Sequence, residues 1–248
     1  MAGASIASKP DYGLDFSSGH VRQPFSSRRM FGRGAWTLAF GILMYLINRS
    51  EYPGPAAHIL IALGLIGLAF IAAGVVMVQS SRVTRFEVRE RILDSLALKG
   101  DERVLDIGSG TGVMLIGVAK RLKSGRVTGV DLSGEADIAK ENAKLEGVND
   151  KVQRIDVCET PKFVYPDNYY DVVLSMLALH NTGESDVREQ LVREMVRVLK
   201  PGGQLAIYDV LRTSEYAETL RAAGAQSVEL SAVSWPWCLP TRTVTARK

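Results

Sequence analysis

The sequence predicts an α/β protein, a doubly wound and mostly parallel sheet preceded by a helical membrane hairpin. Three observations carry that prediction. Two runs without formal charge stand near the N-terminus, Gly34 to Asn48 and Tyr52 to Ser81. From Arg82 onward, strand-like and amphipathic helical segments alternate, the pattern of a sheet covered on both faces. One of those strands runs into Gly108-Ser109-Gly110-Thr111-Gly112 and then a helix, the arrangement that lets a ligand touch backbone at a helix N-terminus.

Composition bounds the alternatives. A chain of 248 residues that is 46% hydrophobic and 23% charged suits one or two folded domains and excludes a disordered, collagen-like or coiled-coil protein. Met1 to Ser81 holds six Lys+Arg against three Asp+Glu, while Arg82 to Lys248 holds 24 of each, so the net charge of +3 is all N-terminal. A neutral body argues against nucleic acid as a partner, since such binders carry a basic stripe or patch. The cysteines, Cys158 and Cys238, are isolated, and the three histidines are His20, His58 and His180, so neither a disulfide framework nor a metal site is expected.

Taken in order, residues 1–30 read as a flexible tail rich in Ser, Gly and Ala. Residues 31–81 read as a transmembrane hairpin with helices at about 31–48 and 56–78. The second run gives roughly 34 Å of helix, enough to cross a hydrocarbon core of about 30 Å. A buried core helix is rarely apolar on every side over that length. The first run, Gly34 to Asn48, reaches only about 22 Å, so it must borrow flanking residues such as Met30 and Phe31 or thin the bilayer. Trp36 and Tyr45 suit interfacial anchoring, and Arg33 and Arg49 can snorkel. Tyr52-Pro53-Gly54-Pro55 between the runs reads as a turn that cannot continue a helix. Arg22, Arg28, Arg29 and Arg33 precede the first helix, Arg82, Arg85, Arg89 and Arg91 follow the second, and only Arg49 lies between. That bias predicts a multi-pass membrane protein with both ends and the catalytic domain cytoplasmic. A cleaved signal peptide fits less well, because some thirty mostly polar residues precede the first run without a clean cleavage site after it.

Residues 82–248 form the catalytic body. Helices are predicted at Arg82 to Leu98, Val113 to Leu122, Glu135 to Leu145, Asp186 to Leu199 and Glu215 to Ala223. Strands are predicted at Arg103 to Ile107, Arg126 to Val130, Lys151 to Ile155, Tyr170 to Ser175, Gln204 to Tyr208 and Arg242 to Ala246, the last entering antiparallel. The glycine triplet is Gly108, Gly110 and Gly112, with Val113 where the dinucleotide fingerprint has its third glycine. Asp106, just before the loop, would sit badly beside a pyrophosphate but suits a ligand that presents an ammonium group and a sulfonium charge.

VLDIGSGTG, from Val104 to Gly112, closely resembles the first motif of class I S-adenosylmethionine-dependent methyltransferases. Gly129-Val130-Asp131-Leu132-Ser133 is similar to that family's second strand, 25 positions after Asp106, and Arg154-Ile155-Asp156-Val157 to the end of its third. Tyr170 to Ser175 resembles the fourth strand, and Leu199-Lys200-Pro201-Gly202-Gly203 the turn into the fifth. The resemblance implies a Rossmann-like, seven-stranded sheet with an antiparallel last strand and S-adenosylmethionine as cofactor. It carries cofactor-binding roles onto Asp106, Gly108, Ser109, Gly110 and Gly112, onto Asp131 and Leu132 at the ribose, onto Asp156 and Val157 at the adenine, and onto Ser175. Simple loop-bonding roles remain open for Asp106 and Asp131, a strand-end turn role for Asp156, and a strand-starting role for Asp171.

Ser175 to Asn181 should line the substrate side. It lacks the Asn/Asp-Pro-Pro-Tyr/Phe pattern used on nucleic-acid bases, and its Leu-x-Leu-His-Asn run is similar to ubiquinone/menaquinone-biosynthesis enzymes. The catalytic candidates are His180, as a base or as a histidine ordering its loop, and Asp209, as a substrate contact or a turn cap. Arsenite methyltransferases are similar in core but use several cysteines. The expected acceptor is a small hydrophobic or lipid-like molecule such as a quinone, sterol or phospholipid. The alternative is a membrane-tethered, cofactor-binding regulator or partner subunit without turnover. Trp235 and Trp237 stand as core residues or as an apolar mouth towards the bilayer.

Overall fold

The structure, a computed structural model, describes residues 10–12, 27–48, 50, 53–157, 160–236 and 239–248. Most of the expected tail lies outside the described residues, as do Arg49, Cys158, Trp237 and Cys238. The chain divides into two compact units near Arg85 and Phe86.

The first unit is a pair of helices, α1 (Ser27–Asn48) and α2 (Pro53–Gln79). With 22 residues, α1 spans about 33 Å, because the helix begins ahead of the uncharged run and takes in Met30 and Phe31. Pro53 and Pro55, read in the sequence as a turn, belong to the first turn of α2. Backbone N–H groups there have no intrahelical partner, so proline removes nothing. The two helices approach closely where side chains are smallest. A Cβ on Gly67 would lie 3.1 Å from the Gly34 carbonyl oxygen, and one on Gly41 would lie 3.0 Å from Leu63 Cβ. Outward, Trp36, Phe40, Leu46, Ile61, Leu65 and Leu68 are all exposed. Only 17% of the apolar window Met30–Asn48 and 11% of Ala57–Val76 is covered by protein, far less than a core helix would show.

A π-helical stretch, Ser80–Thr84, follows α2 directly and leads into α3 (Arg85–Leu96). The predicted helix from Arg82 to Leu98 is thus trimmed at both ends. Ala97 and Gly100, both at positive φ, end it.

The second unit comprises residues 10–12 and Phe86–Lys248. Its elements are β1 (Arg103–Ile107), α4 (Val113–Arg121), β2 (Arg126–Asp131), α5 (Ala136–Leu145), β3 (Val152–Val157), β4 (Tyr170–Met176), α6 (Ser185–Val198), β5 (Leu199–Asp209), α7 (Thr213–Ala222), β6 (Gln226–Leu230) and β7 (Arg242–Arg247). They build one sheet in the order β3-β2-β1-β4-β5-β7-β6, parallel except for β7. Helices α4 and α5 cover β1 to β3, while α6 and α7 cover β5 to β7. The core on the α6 and α7 side gathers Leu105, Ile107, Val173, Leu191, Met195 and Tyr216. Consecutive apolar residues in β1 and β4 reflect burial on both faces.

The seventh strand, β6, carries no apolar run and is half exposed, which hides it from pattern reading. Lys200-Pro201-Gly202-Gly203, expected as a turn, is a kink inside β5, where the pairing with β4 shifts and Gly202 takes φ +78°. Asp171 does start β4. It accepts the Arg103 N–H and pairs with Lys200 at 2.5 Å, at the strand end opposite the glycine loop.

Cysteines introduced as Gly41→Cys and Leu63→Cys, with Cys158 and Cys238 changed to Ser, should join rapidly on oxidation. A mass loss of about 2 Da with no dimer checks the antiparallel contact.

Candidate active site

The site is built where β1, β2, β4 and β5 end. Gly108, Gly110 and Gly112 all have positive φ, at +76°, +48° and +91°, a conformation costly for any side chain. The N–H groups of Gly108 and Ser109 donate to the Val130 carbonyl at 2.7 and 3.0 Å, stitching the loop to the end of β2. A Cβ on Gly108 would fall 2.0 Å from Ala178 Cβ, so the loop and the segment after β4 are pressed together. The buried Ser109 hydroxyl turns inward beside Gly129. Asn142 of α5, buried and not anticipated from the sequence, donates to the Thr111 carbonyl at 2.9 Å and exchanges hydrogen bonds with the backbone of Asp11. An asparagine inside an amphipathic helix gives no pattern that would mark it.

Asp106 lies beneath this loop, 1% exposed, and neither carboxyl oxygen has a hydrogen-bond partner among the described residues. Burial pushes its pKa up to about 7, against the opposing pull of the Leu115 backbone N–H at the open end of α4. An orphaned buried carboxyl beside a strained glycine loop fits a cationic ligand that supplies the missing charge.

The other acids differ. Asp131, fully buried, accepts from the N–H and hydroxyl of Ser133 at 2.9 and 2.7 Å and from the Ala136 N–H at 2.8 Å, so it caps the start of α5. A second carboxylate stands closer to the loop: Glu135 Oε2 lies 3.4 Å from where a Gly110 Cβ would sit. Nothing in the sequence marks it, since it reads as the first residue of a helix. Asp156 Oδ2 accepts from Arg154 Nε at 2.5 Å and from the Tyr165 hydroxyl at 2.6 Å. Burial and that bond hold the Tyr165 hydroxyl protonated well above its usual range. Val157, at the end of β3, is an exposed apolar surface, and Leu132 is half-buried against Gly108. The Ser175 hydroxyl donates to the Ile107 carbonyl at 2.9 Å and ties β4 to β1 from a buried position.

The structure brings the two catalytic candidates together. His180 Nδ1 lies 2.5 Å from Asp209 Oδ1. Asp209 Oδ1 also accepts the Val210 N–H at 2.8 Å, and Oδ2 accepts the His180 N–H at 3.1 Å and the Tyr216 hydroxyl at 3.3 Å. Fully buried and engaged on both oxygens, Asp209 is placed to hold His180 and to cap the turn after β5. It is not placed to touch a substrate. The two side chains stand at ion-pair distance without hydrogen-bond geometry at Nδ1, so the hydrogen bond that ties His180 to Asp209 is the one from its backbone N–H.

Residues 104–203 match the sequence profile of a methyltransferase domain. A ubiquinone/menaquinone biosynthesis C-methyltransferase of Chromobacterium violaceum is 34% identical over 119 residues, 47% of this chain and 46% of its own length. A sterol 4-C-methyltransferase of Caenorhabditis elegans is 30% identical over 126 residues, 50% of this chain and 36% of its own. A solved S-adenosylmethionine-dependent methyltransferase from Aquifex aeolicus superposes with a TM-score of 0.54 at 25% identity, covering 66% of this chain and 92% of that one. The body thus has the Rossmann-like fold of these methyltransferases, and residues 104–203 match a methyltransferase domain. Its matched stretch spans under half the length of these curated relatives.

Two outcomes test this site. Gly108→Ala should destabilise the domain by about 2–4 kcal/mol and abolish cofactor binding, and Ala178→Gly in the same chain should restore the fold in part. Thermal melts and titration calorimetry read both. Asp106 binds its proton more tightly folded than unfolded, so its contribution to stability falls as pH rises from about 4 to about 7 and stays low above. Asp106→Asn should therefore raise the melting temperature at about pH 8, flatten stability across that window, and weaken cofactor binding at least tenfold (on the order of 1.4 kcal/mol).

Proposed function

We propose that this chain is a membrane-anchored methyltransferase acting on a small hydrophobic or lipid-like acceptor, of the quinone, sterol or phospholipid class, from a cytoplasmic domain held by a multi-pass hairpin. The observation that carries the reading is the His180 and Asp209 pair, set two residues past the Ala178 that packs on the cofactor loop. A regulator without turnover has no use for an oriented histidine there.

When bound, S-adenosylmethionine supplies an activated methyl group. Asp106 would balance its positive charge, the loop from Gly108 to Gly112 would receive it against backbone, Glu135 and Asp131 flank the ribose side, and Val157 with Tyr165 would wall the adenine. His180 Nε2 would take the proton from an acceptor hydroxyl or acidic carbon as the new bond forms. Asp209, bonded to the His180 backbone N–H and at ion-pair distance from Nδ1, would favour the imidazolium. Segment 177–181 over the loop keeps competing water out, and the remaining contribution is alignment of the acceptor in line with the transferred group. Support for the acceptor class comes from the relatives named for quinone and sterol methylation and from two helices that turn their apolar surface outward.

Incubating the detergent-solubilised full chain with isotopically labelled donor and a total lipid extract should place label in apolar products, identified by mass spectrometry. Label confined to water-soluble products overturns the lipid acceptor, and donor binding with no transfer favours the regulator. His180→Gln should lower kcat roughly 10²–10⁴-fold while donor affinity holds. For the anchor, Gly54→Cys should react with an impermeant reagent from outside intact cells, and reaction only after lysis overturns the hairpin's orientation.

A further inference from the structure

Along β5 and β7 the register pairs Asp209 with Arg242. The connection from β6 to β7, residues 231–241, therefore rises from the same end of the sheet at which Asp209 grips His180. Its described residues, 231–236 and 239–241, are tied together by hydrogen bonds. Ser234 and Thr241 exchange backbone hydrogen bonds at 2.9 and 2.8 Å, the Ser231 N–H donates to the Thr243 carbonyl at 2.9 Å, and the Tyr208 hydroxyl from β5 donates to Thr241 Oγ1 at 2.8 Å. Yet its outer side chains cover nothing: Trp235 is 65% exposed, Leu239 53% and Val233 47%, and Leu211, two residues past Asp209, is 57% exposed. An apolar display of this kind on a charged, soluble-type domain marks an interaction surface.

Its composition selects the partner. No charged residue occurs between Glu229 and Arg242, so the tip can enter an apolar medium without burying a charge. Tryptophan prefers the headgroup boundary, where its ring is apolar and its N–H still finds a partner. At the foot of the hairpin Arg242 donates Nε to the Ser231 carbonyl at 2.8 Å, a cation at the strand end below the uncharged segment. An apolar display above a cation suits an interfacial lipid contact.

We propose that hairpin 231–241 together with Leu211 is a lipid-docking rim, which inserts Trp235, Val233 and Leu239 into the cytoplasmic leaflet and presents the His180 end of the sheet to an acceptor held in the membrane. The proposal rests on the reading of α1 and α2 as a membrane anchor, which puts the domain within reach of that leaflet. It explains why these side chains are apolar although the domain has no use for them in its own core.

The test uses the full chain reconstituted in phosphatidylcholine/phosphatidylglycerol vesicles, with and without bromine on the acyl chains. The sequence has three tryptophans, so Trp36→Phe with Trp237→Phe leaves Trp235 as the single reporter. Brominated lipid should quench its emission at least twofold and plain lipid should shift it to the blue. Should the double variant fail to fold, Trp36→Phe alone reads the two tryptophans of the hairpin in the same way. Alkaline carbonate extraction of the same vesicles separates the two readings. Protein that resists extraction but shows unquenched Trp235 overturns the rim and leaves the anchor standing. Protein that is stripped, with Trp235 unquenched beforehand, overturns both. Quenching in protein that carbonate strips supports the rim and removes the anchor. A blue shift that depends on protein concentration and not on lipid points to a second copy of the chain and overturns the proposal.

Discussion

The missing Cβ of Gly108 would fall 2.0 Å from Ala178 Cβ, and the rest of the site follows from that contact. It forces β1 to turn at the sheet end, which aims the N-terminus of α4 at the cofactor side and leaves Asp106 enclosed beneath. It also brings the segment after β4 over the loop, so that His180 comes to lie against Asp209 at the end of β5. A bulkier loop residue would push the segment after β4 away from the end of β1, so backbone packing rather than a polar contact sets how closely the two approach.

Asp106 is an unfavourable group that the fold keeps buried. A buried carboxyl without a partner destabilises the empty fold once ionised, and its pKa is accordingly pushed up to about 7. The remaining acids of the site are engaged by partners: Asp131 by Ser133 and Ala136, Asp156 by Arg154 and Tyr165, Asp209 by His180, Val210 and Tyr216. Among these acids the cost is concentrated at Asp106, the carboxyl beneath the glycine loop.

The helical pair obeys a different rule. Its helices meet through glycines and present large apolar side chains outward, the reverse of a soluble bundle. Close backbone approach at Gly34, Gly41 and Gly67 is what packs the pair together. The uncharged hairpin 231–241 repeats that inversion in miniature on the catalytic domain, where Trp235 and Leu239 face outward.

Much of this was legible in the chain. Charge-free runs mark α1 and α2, because a long stretch without formal charge favours a continuous apolar helix. Alternating periodicity and the glycine triplet locate β1 to β5 and the cofactor loop, since positive φ and two-sided burial constrain residue type locally. The half-exposed β6, the kink at Gly202 and the Pro53 helix start were not legible, because pairing partners and helix ends decide them. Asp131 and Asp156 stand alike in sequence, and only their neighbours separate a helix cap from a strand-edge network. His180 and Asp209, 29 positions apart, become one unit only because β4 and β5 are parallel neighbours that end side by side. Sequence by itself determined which residue types the loop, the strands and the helices need, as those demands are local. Tertiary structure alone decided which side chains meet, because sheet order and register place distant residues in hydrogen-bond range.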